Sequence, residues 1–340
     1  MTANEGIDIE ALTRWMDGRG LGAGPIGSTE LIAGGTQNIL LRFERADRRY
    51  VLRRPPPHKR ANSDETMRRE ARVLGALAGS DVPHPALLAA EPEVDVLGAA
   101  FYLMEDVAGF NAGMGLPEPH ASSPELQRSM GLSMPDAIAA LGRVDVHAVG
   151  LGDLGRPDGW LERQVERWRS HLASYDDVEG YRGVDLPGVE AVASWLSERQ
   201  PTSWTPGLIH GDFHFSNVLI HPSEGRLAAI VDWELTTIGD PLLDLGHLLA
   251  TWPTRGAVAS ELSGTNLPTT DEVVERYAAG STRDLSNVDW YQVLACYRLA
   301  IILEGTNARA DAGQAPREIG DRLHAHAVSL FEQALELVGG

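Results

Sequence analysis

A chain of 340 residues exceeds the usual single domain of about 100–200 residues and is too large for a lone binding module. With 43% hydrophobic and 23% charged residues it can fill a sizeable core, which sets it apart from disordered chains. Its formal charge of -19 removes any global electrostatic footprint for nucleic acid or an anionic membrane surface, and its one cysteine, Cys296, excludes an intramolecular disulfide framework and a cysteine-based zinc cluster.

The N-terminus is acidic and lacks the basic and apolar regions of a signal peptide, and no window approaches the roughly 18 apolar residues needed to span a bilayer. The expectation is a soluble, cytoplasmic protein without nucleic-acid or membrane partners. Residues 8–20 predict a short helix. Residues 30–33 and 39–43 predict strands about a turn of Gly34, Gly35, Thr36, Gln37 and Asn38. After a polar turn at 47–49, residues 50–54 predict a third strand. Pro55, Pro56 and Pro57 end it, because proline offers no N–H to a ladder. A three-stranded antiparallel meander is expected.

Met67, Ala71, Leu74 and Leu77 recur at helical spacing and predict a helix over 63–77, capped by Ser63 or Asp64, with Glu70 near its middle. Residues 82–85 break the chain, 99–104 predict a further strand, and 105–109 end it. Beyond 110, Gly, Pro and Ser punctuate the chain to 135, and helical patterns occupy 136–148, 160–175 and 187–199. Strand signals return at 208–209, 218–220 and 227–231, the last two joined by a turn at 221–225; from Asp240 the pattern is helical again. No repeat of 20–50 residues is present. The expected domains are 1–107 and 108–340. The first carries 13 basic and 16 acidic residues, which leaves 16 and 32 for the second.

The strongest local signal is His210-Gly211-Asp212-Phe213-His214-Phe215-Ser216-Asn217, between a short apolar strand and a hairpin. Asp212 and Asn217 are five apart. Phosphoryl transfer asks for a carboxylate to take the attacking hydroxyl's proton and for oxygen ligands that hold Mg²⁺ on the phosphates; the kinase catalytic loop sets those groups at this spacing. Asp232 follows at the end of the next strand, where a second metal-binding aspartate emerges in kinases. Either pair alone is a weak signal. The ordered set is stronger: glycine turn, cation on the next strand, Glu70 on the next helix, then loop and metal aspartate.

In these features the sequence resembles the aminoglycoside phosphotransferase and choline kinase-like family, relatives of the protein kinases, over residues 27–300, most specifically in the phrase 208–249. It is most similar to the branch whose kinase domains occur fused to, or encoded beside, acyl-CoA dehydrogenases, through 34–38, 50–56 and 233–241. The resemblance implies an α+β, protein-kinase-like bilobal fold, with a small antiparallel β-sheet N-terminal lobe and a larger, mainly helical C-terminal lobe. It implies transfer of the γ-phosphoryl group of Mg·ATP to a small-molecule hydroxyl, with ATP and Mg²⁺ as cofactors and a functional link to an acyl-CoA dehydrogenase. Asp212 would be the base, with Asn217 and Asp232 as metal ligands and Glu70 bracing the third-strand cation. The main chain of Gly34, Gly35, Thr36, Gln37 and Asn38 would cover the phosphates. Met104, Glu105 and Val107 mark the adenine-binding connection, and Asp244 would shape the catalytic loop. The expected lysine is Arg53 here, a wide planar fork in place of a point charge, in a chain whose single lysine is Lys59. Arg54 or Lys59 could stand in for it.

Two other readings compete. His210, Asp212 and His214 alternate as strand ligands of a zinc hydrolase would, although no convincing His or Asp partners complete the coordination. A nucleotide-binding pseudokinase would keep the fold without turnover. The acceptor is read as a hydroxyacyl-CoA-type metabolite, with an aminoglycoside as the alternative. Cys296 and Trp160, Trp168, Trp195 and Trp204 are read as packing residues, and His58 and Arg60 as part of a basic loop. Glu234 is read as support for Asp232.

Overall fold

The computed structural model describes residues 6–32, 38–59, 61–253 and 261–339. Gly34, Gly35, Thr36 and Gln37 of the predicted phosphate-covering turn, and Arg60, lie outside the described residues. The chain forms two compact units, one of residues 1–109 with 228–236 and one of 110–227 with 237–340.

The first unit opens with α1 (Ile9–Asp17), whose start is fixed by Asp8 accepting the Ala11 N–H at 2.9 Å. It is followed by β1 (Thr29–Leu31), β2 (Ile39–Arg45), β3 (Arg48–Arg54), α2 (Ser63–Ala76), β4 (Leu87–Glu91) and β5 (Phe101–Glu105). Along β2 the buried Ile39, Leu41 and Phe43 alternate with half-buried Leu40 and Arg42, the period of a strand with one face on a core. That core takes Trp15 of α1, Tyr50 and Leu52 of β3 and Leu103 of β5.

The expected three-stranded meander is a five-stranded antiparallel sheet in the order β1-β2-β3-β5-β4. The missed β4 reads Leu-Leu-Ala-Ala-Glu, with no β-branched residue to signal a strand. Sheet pairing decides its conformation. The start of α2 also differs: Asn62 stands at the cap without a side-chain bond, and neither Ser63 nor Asp64 caps. Asp64 instead accepts the Ala100 N–H at 3.0 Å and binds Lys59 at 2.5 Å.

The second unit begins with α3 (Pro124–Gly142), twelve residues ahead of its predicted start. The Ser123-Pro124 pair that reads as punctuation is a helix start: Ser123 accepts the Leu126 N–H at 3.2 Å, and proline at the first helical position loses no bond. There follow α4 (Gln164–Ala173), α5 (Val189–Glu198), β6 (Gly207–Ile209), β7 (Val218–Ile220), β8 (Leu227–Ile230), β9 (Thr237–Gly239), α6 (Leu242–Ala250), α7 (Thr270–Gly280), α8 (Val288–Asp311) and α9 (Arg317–Gly339). The turn after β7 closes with the His221 N–H on the Arg226 carbonyl at 2.9 Å. Most of β8 belongs to the first unit, where the Ile230 N–H donates to the Pro83 carbonyl.

α6 and α8 form the centre of the second unit, buried on most faces. They approach so closely that a Cβ on Gly246 would sit 2.5 Å from the Tyr291 backbone. Cys296 is fully buried on α8, and burial pushes its thiol up to about 12. Of the four tryptophans read as packing residues, Trp160 and Trp168 are buried; Trp195 and Trp204 are half-buried. Among the described residues no helix is long and apolar enough to cross a membrane.

Candidate active site

In the first unit, the register of the sheet sets Arg53 of β3 opposite Tyr102 of β5, and α2 brings Glu70 to both. Arg53 is 7% exposed and Glu70 1%. The guanidinium meets both carboxylate oxygens, Nε to Oε2 at 3.0 Å and Nη2 to Oε1 at 3.3 Å, while the Tyr102 hydroxyl donates to Oε2 at 2.7 Å. Nη2 also donates to Asp232 Oδ1 at 2.6 Å. Asp232 stands just past β8 in the left-handed region, at φ 67°, which aspartate tolerates better than most residues.

Burial raises the Glu70 carboxyl to about 7; Arg53 and Tyr102 pull it down, but Asp232 and Glu234 add like charge. Burial also works against the charged Arg53, yet the acids around it hold its pKa above the ordinary value. Glu70, Asp232 and Glu234 present carboxylate oxygens within 4.8 Å of one another. Of the other cations, Lys59 is engaged by Asp64 and by the Gly98 carbonyl, and Arg54 donates to the Pro55 carbonyl. Arg53 is the one seated on Glu70. Met104 and Glu105 end β5, where the Glu105 N–H donates to the Ala86 carbonyl; Val107 lies beyond the strand. Asn38 precedes β2 and is half-buried.

In the second unit, β6 pairs with β9 and delivers the loop that begins at His210. Asp244 on α6, fully buried, accepts the N–H groups of His210 at 2.6 Å and Gly211 at 2.8 Å. Gly211 sits at φ 86°, a conformation open to glycine, and turns the chain so that Asp212 follows with its side chain part-exposed. Burial raises the Asp244 pKa against the pull of His210, those N–H groups and Arg298.

Asn217 is set by a short 3₁₀ turn, Phe215–Asn217, and donates through Nδ2 to both the Asp212 carbonyl and Oδ2, each at 2.9 Å. Those bonds leave its Oδ1 as an oxygen donor. His214 Nε2 lies 3.5 Å from Asp212 Oδ2, and His247 Nε2 lies 3.2 Å from Oδ1. Burial would raise Asp212, but the two histidines outweigh it and hold the carboxyl well below its ordinary value, so it is ionised at neutral pH. His247 is buried, which pushes its imidazole down to about 4.

His247 is the residue the sequence did not single out. It lies three positions after Asp244, one helical turn along α6, so one face of that helix shapes the loop backbone and touches the Asp212 carboxylate. That spacing was the available signal. The alternating ligand set is corrected as well: His210 is fully buried with Nδ1 accepting the Asp212 N–H at 3.3 Å, and His247 takes its place beside Asp212 and His214. A third partner therefore exists where none was found in the sequence.

The sequence profile of the phosphotransferase enzyme family matches residues 28–291. Acyl-CoA dehydrogenase family member 11 of Gallus gallus is 30% identical over 324 residues, 91% of this chain and 40% of that protein. The chain spans 29% to 40% of the length of the first curated relatives it matches. A crystal structure from Ralstonia eutropha JMP134, described provisionally as an aminoglycoside phosphotransferase, is 30% identical with a TM-score of 0.80, covering 97% of this chain and 99% of its own. The GDP complex of an aminoglycoside 2'-phosphotransferase-IIIa mutant shares the fold, with a TM-score of 0.65 at 16% identity over 98% and 99% of the two chains.

Proposed function

The chain belongs to the phosphotransferase enzyme family, with its α+β protein-kinase-like fold, and on that premise we propose that it moves the γ-phosphoryl group of ATP to a hydroxyl of a small metabolite. The observation that carries this reading is the Asp212 carboxylate, kept ionised by two histidines and oriented by Asn217. A loose phosphoryl-transfer transition state leaves little covalent work to the protein. What it needs is a carboxylate aimed at the acceptor O–H, oxygen ligands for a divalent cation and a cation for the phosphates. Asp212 takes the proton. Asn217 Oδ1 and the Asp232 carboxylate are oxygen donors of the kind Mg²⁺ accepts, and bound Mg²⁺ would neutralise charge on the phosphates. Arg53, braced by Glu70, contacts the α- and β-phosphates. Asn38, with Gly34, Gly35, Thr36 and Gln37, covers them through main-chain N–H groups, and adenine meets the backbone of Met104, Glu105 and Val107.

For the acceptor we favour a hydroxyacyl-CoA-type metabolite, because the curated relatives carry acyl-CoA dehydrogenase names on chains much longer than this one. The same names support a functional link to such a dehydrogenase. An aminoglycoside is the second reading, supported by the name of the Ralstonia structure and by 32 acidic against 16 basic residues over 108–340. ATP consumption measured across hydroxyacyl-CoAs, aminoglycosides, choline and homoserine separates the two. No consumption with any acceptor favours a pseudokinase. Asp212→Asn is expected to lower turnover by about a thousandfold or more with nucleotide affinity nearly unchanged, because the base acts on the acceptor proton and not on ATP. Undiminished turnover by that variant refutes the assignment.

A further inference from the structure

Asp212, His214 and His247 present one ligand atom each, all within 4.8 Å of one another. We propose that these three side chains form a binding site for a borderline divalent cation of the Zn²⁺ type, a ligand set that includes neither Asn217 nor Asp232. Tetrahedral zinc at about 2.0–2.2 Å from nitrogen and oxygen ligands sets neighbouring ligand atoms roughly 3.3–3.5 Å apart. His247 Nε2 lies 3.2 Å from Asp212 Oδ1 and His214 Nε2 3.5 Å from Oδ2, so each imidazole already faces one oxygen of the carboxylate at about that spacing. The histidines, whose ring centroids are 5.8 Å apart, have to close and the Asp212 carboxylate has to turn so that one oxygen serves both, a rearrangement that starts from ligand atoms within 4.8 Å of one another.

The second observation is His247 itself. It is 1% exposed, and among the described residues neither ring nitrogen has a well-aligned hydrogen-bond partner, although Nε2 lies beside the carboxylate. A buried imidazole in that state keeps Nε2 turned toward the Asp212 carboxylate, and a cation bound there would displace only that one imperfectly aligned contact. Asp212 and His214 are 31% and 27% exposed, which leaves the fourth position open to water.

The chemistry favours Zn²⁺ over Mg²⁺, since imidazole nitrogens suit the former and Mg²⁺ demands oxygen octahedra. Affinity falls short of a closed structural site for two reasons. His247 Nδ1 has no acceptor behind it among the described residues, and His214 must move its proton to Nδ1 and give up the 3.2 Å bond that Ser216 N–H donates there. On the reading that Asp212 is the base, an occupied site blocks transfer, because the metal holds the lone pair that would take the acceptor proton.

The test is titration of the metal-stripped full chain with Co²⁺. The expected result is one equivalent of four-coordinate visible bands, erased by one equivalent of Zn²⁺ and not by excess Mg²⁺. His214→Gln and His247→Gln should each weaken binding by at least about tenfold, with far-UV circular dichroism confirming the fold. His214 is surface-accessible, so its variant carries the test if the buried His247→Gln fails to fold. No band, or bands unchanged in the variants, overturns the site. If Co²⁺ and Zn²⁺ bind as expected but leave turnover on an accepted substrate untouched, the site stands and the assignment of Asp212 as base fails.

Discussion

At Arg53 a guanidinium does what a lysine ammonium could not: it meets both oxygens of Glu70 and still reaches Asp232. The cost falls on Glu70. Burial does most to raise Glu70, and Asp232 and Glu234, whose carboxylate oxygens lie within 4.8 Å, add like charge, so Glu70 holds a proton up to about pH 7. The sign of the linkage follows. The folded state binds this proton more tightly than the unfolded chain, whose glutamate titrates near 4.5, so stability from this group is greatest below that value and is lost as pH rises toward 7. In metal-free buffer, the melting temperature of the parent is therefore expected to fall between pH 5 and 7 relative to that of Glu70→Gln. Parallel curves for the two proteins would show that Glu70 does not titrate there. Neither the fork nor this crowding was legible in the sequence, which favoured Arg53 by its place on the third strand and kept Arg54 and Lys59 as alternatives; the sheet register and α2 seat Arg53 on Glu70.

At the scale of elements, α6 is the platform on which the loop rests. Asp244 holds the backbone of His210 and Gly211, and His247, one turn on, touches Asp212. Asp244→Ala leaves two buried N–H groups without acceptors, and a stability loss of about 3 kcal/mol is expected by urea unfolding. Asp244→Asn, which keeps one acceptor oxygen, should fall between the two. A loss below about 0.5 kcal/mol for the alanine variant, the range of an ordinary surface change, would mean that the loop holds itself. The role of Asp244 could be named from the phrase around it; for His247 the one sign was its helical-turn spacing from Asp244, which puts the two on one face of α6 but does not say that Asp212 meets that face. Strand β4 and the early start of α3 escaped for a related reason. Local propensity is weak in Leu-Leu-Ala-Ala and misleading at Ser123-Pro124, and tertiary pairing overrides it.

For the whole molecule, the charge of -19 governs encounter and not fold. It separates the two acceptor readings: with a polyanionic CoA ester, kcat/KM should rise as salt screens like-charge repulsion, and with a polycationic aminoglycoside it should fall. A salt-independent value would show that net charge plays no part in acceptor capture. The sequence by itself determined most elements and the order of the chemical residues along the chain, since hydrophobic period and motif spacing are local properties written in neighbouring residues; fold class and family came through the resemblance those motifs carry. Tertiary structure alone decided how Arg53 grips Glu70, that Asp232 shares the guanidinium, and that His247 stands beside Asp212. Those contacts join residues 17, 179 and 35 positions apart, and nothing in a linear spacing states where two distant segments meet.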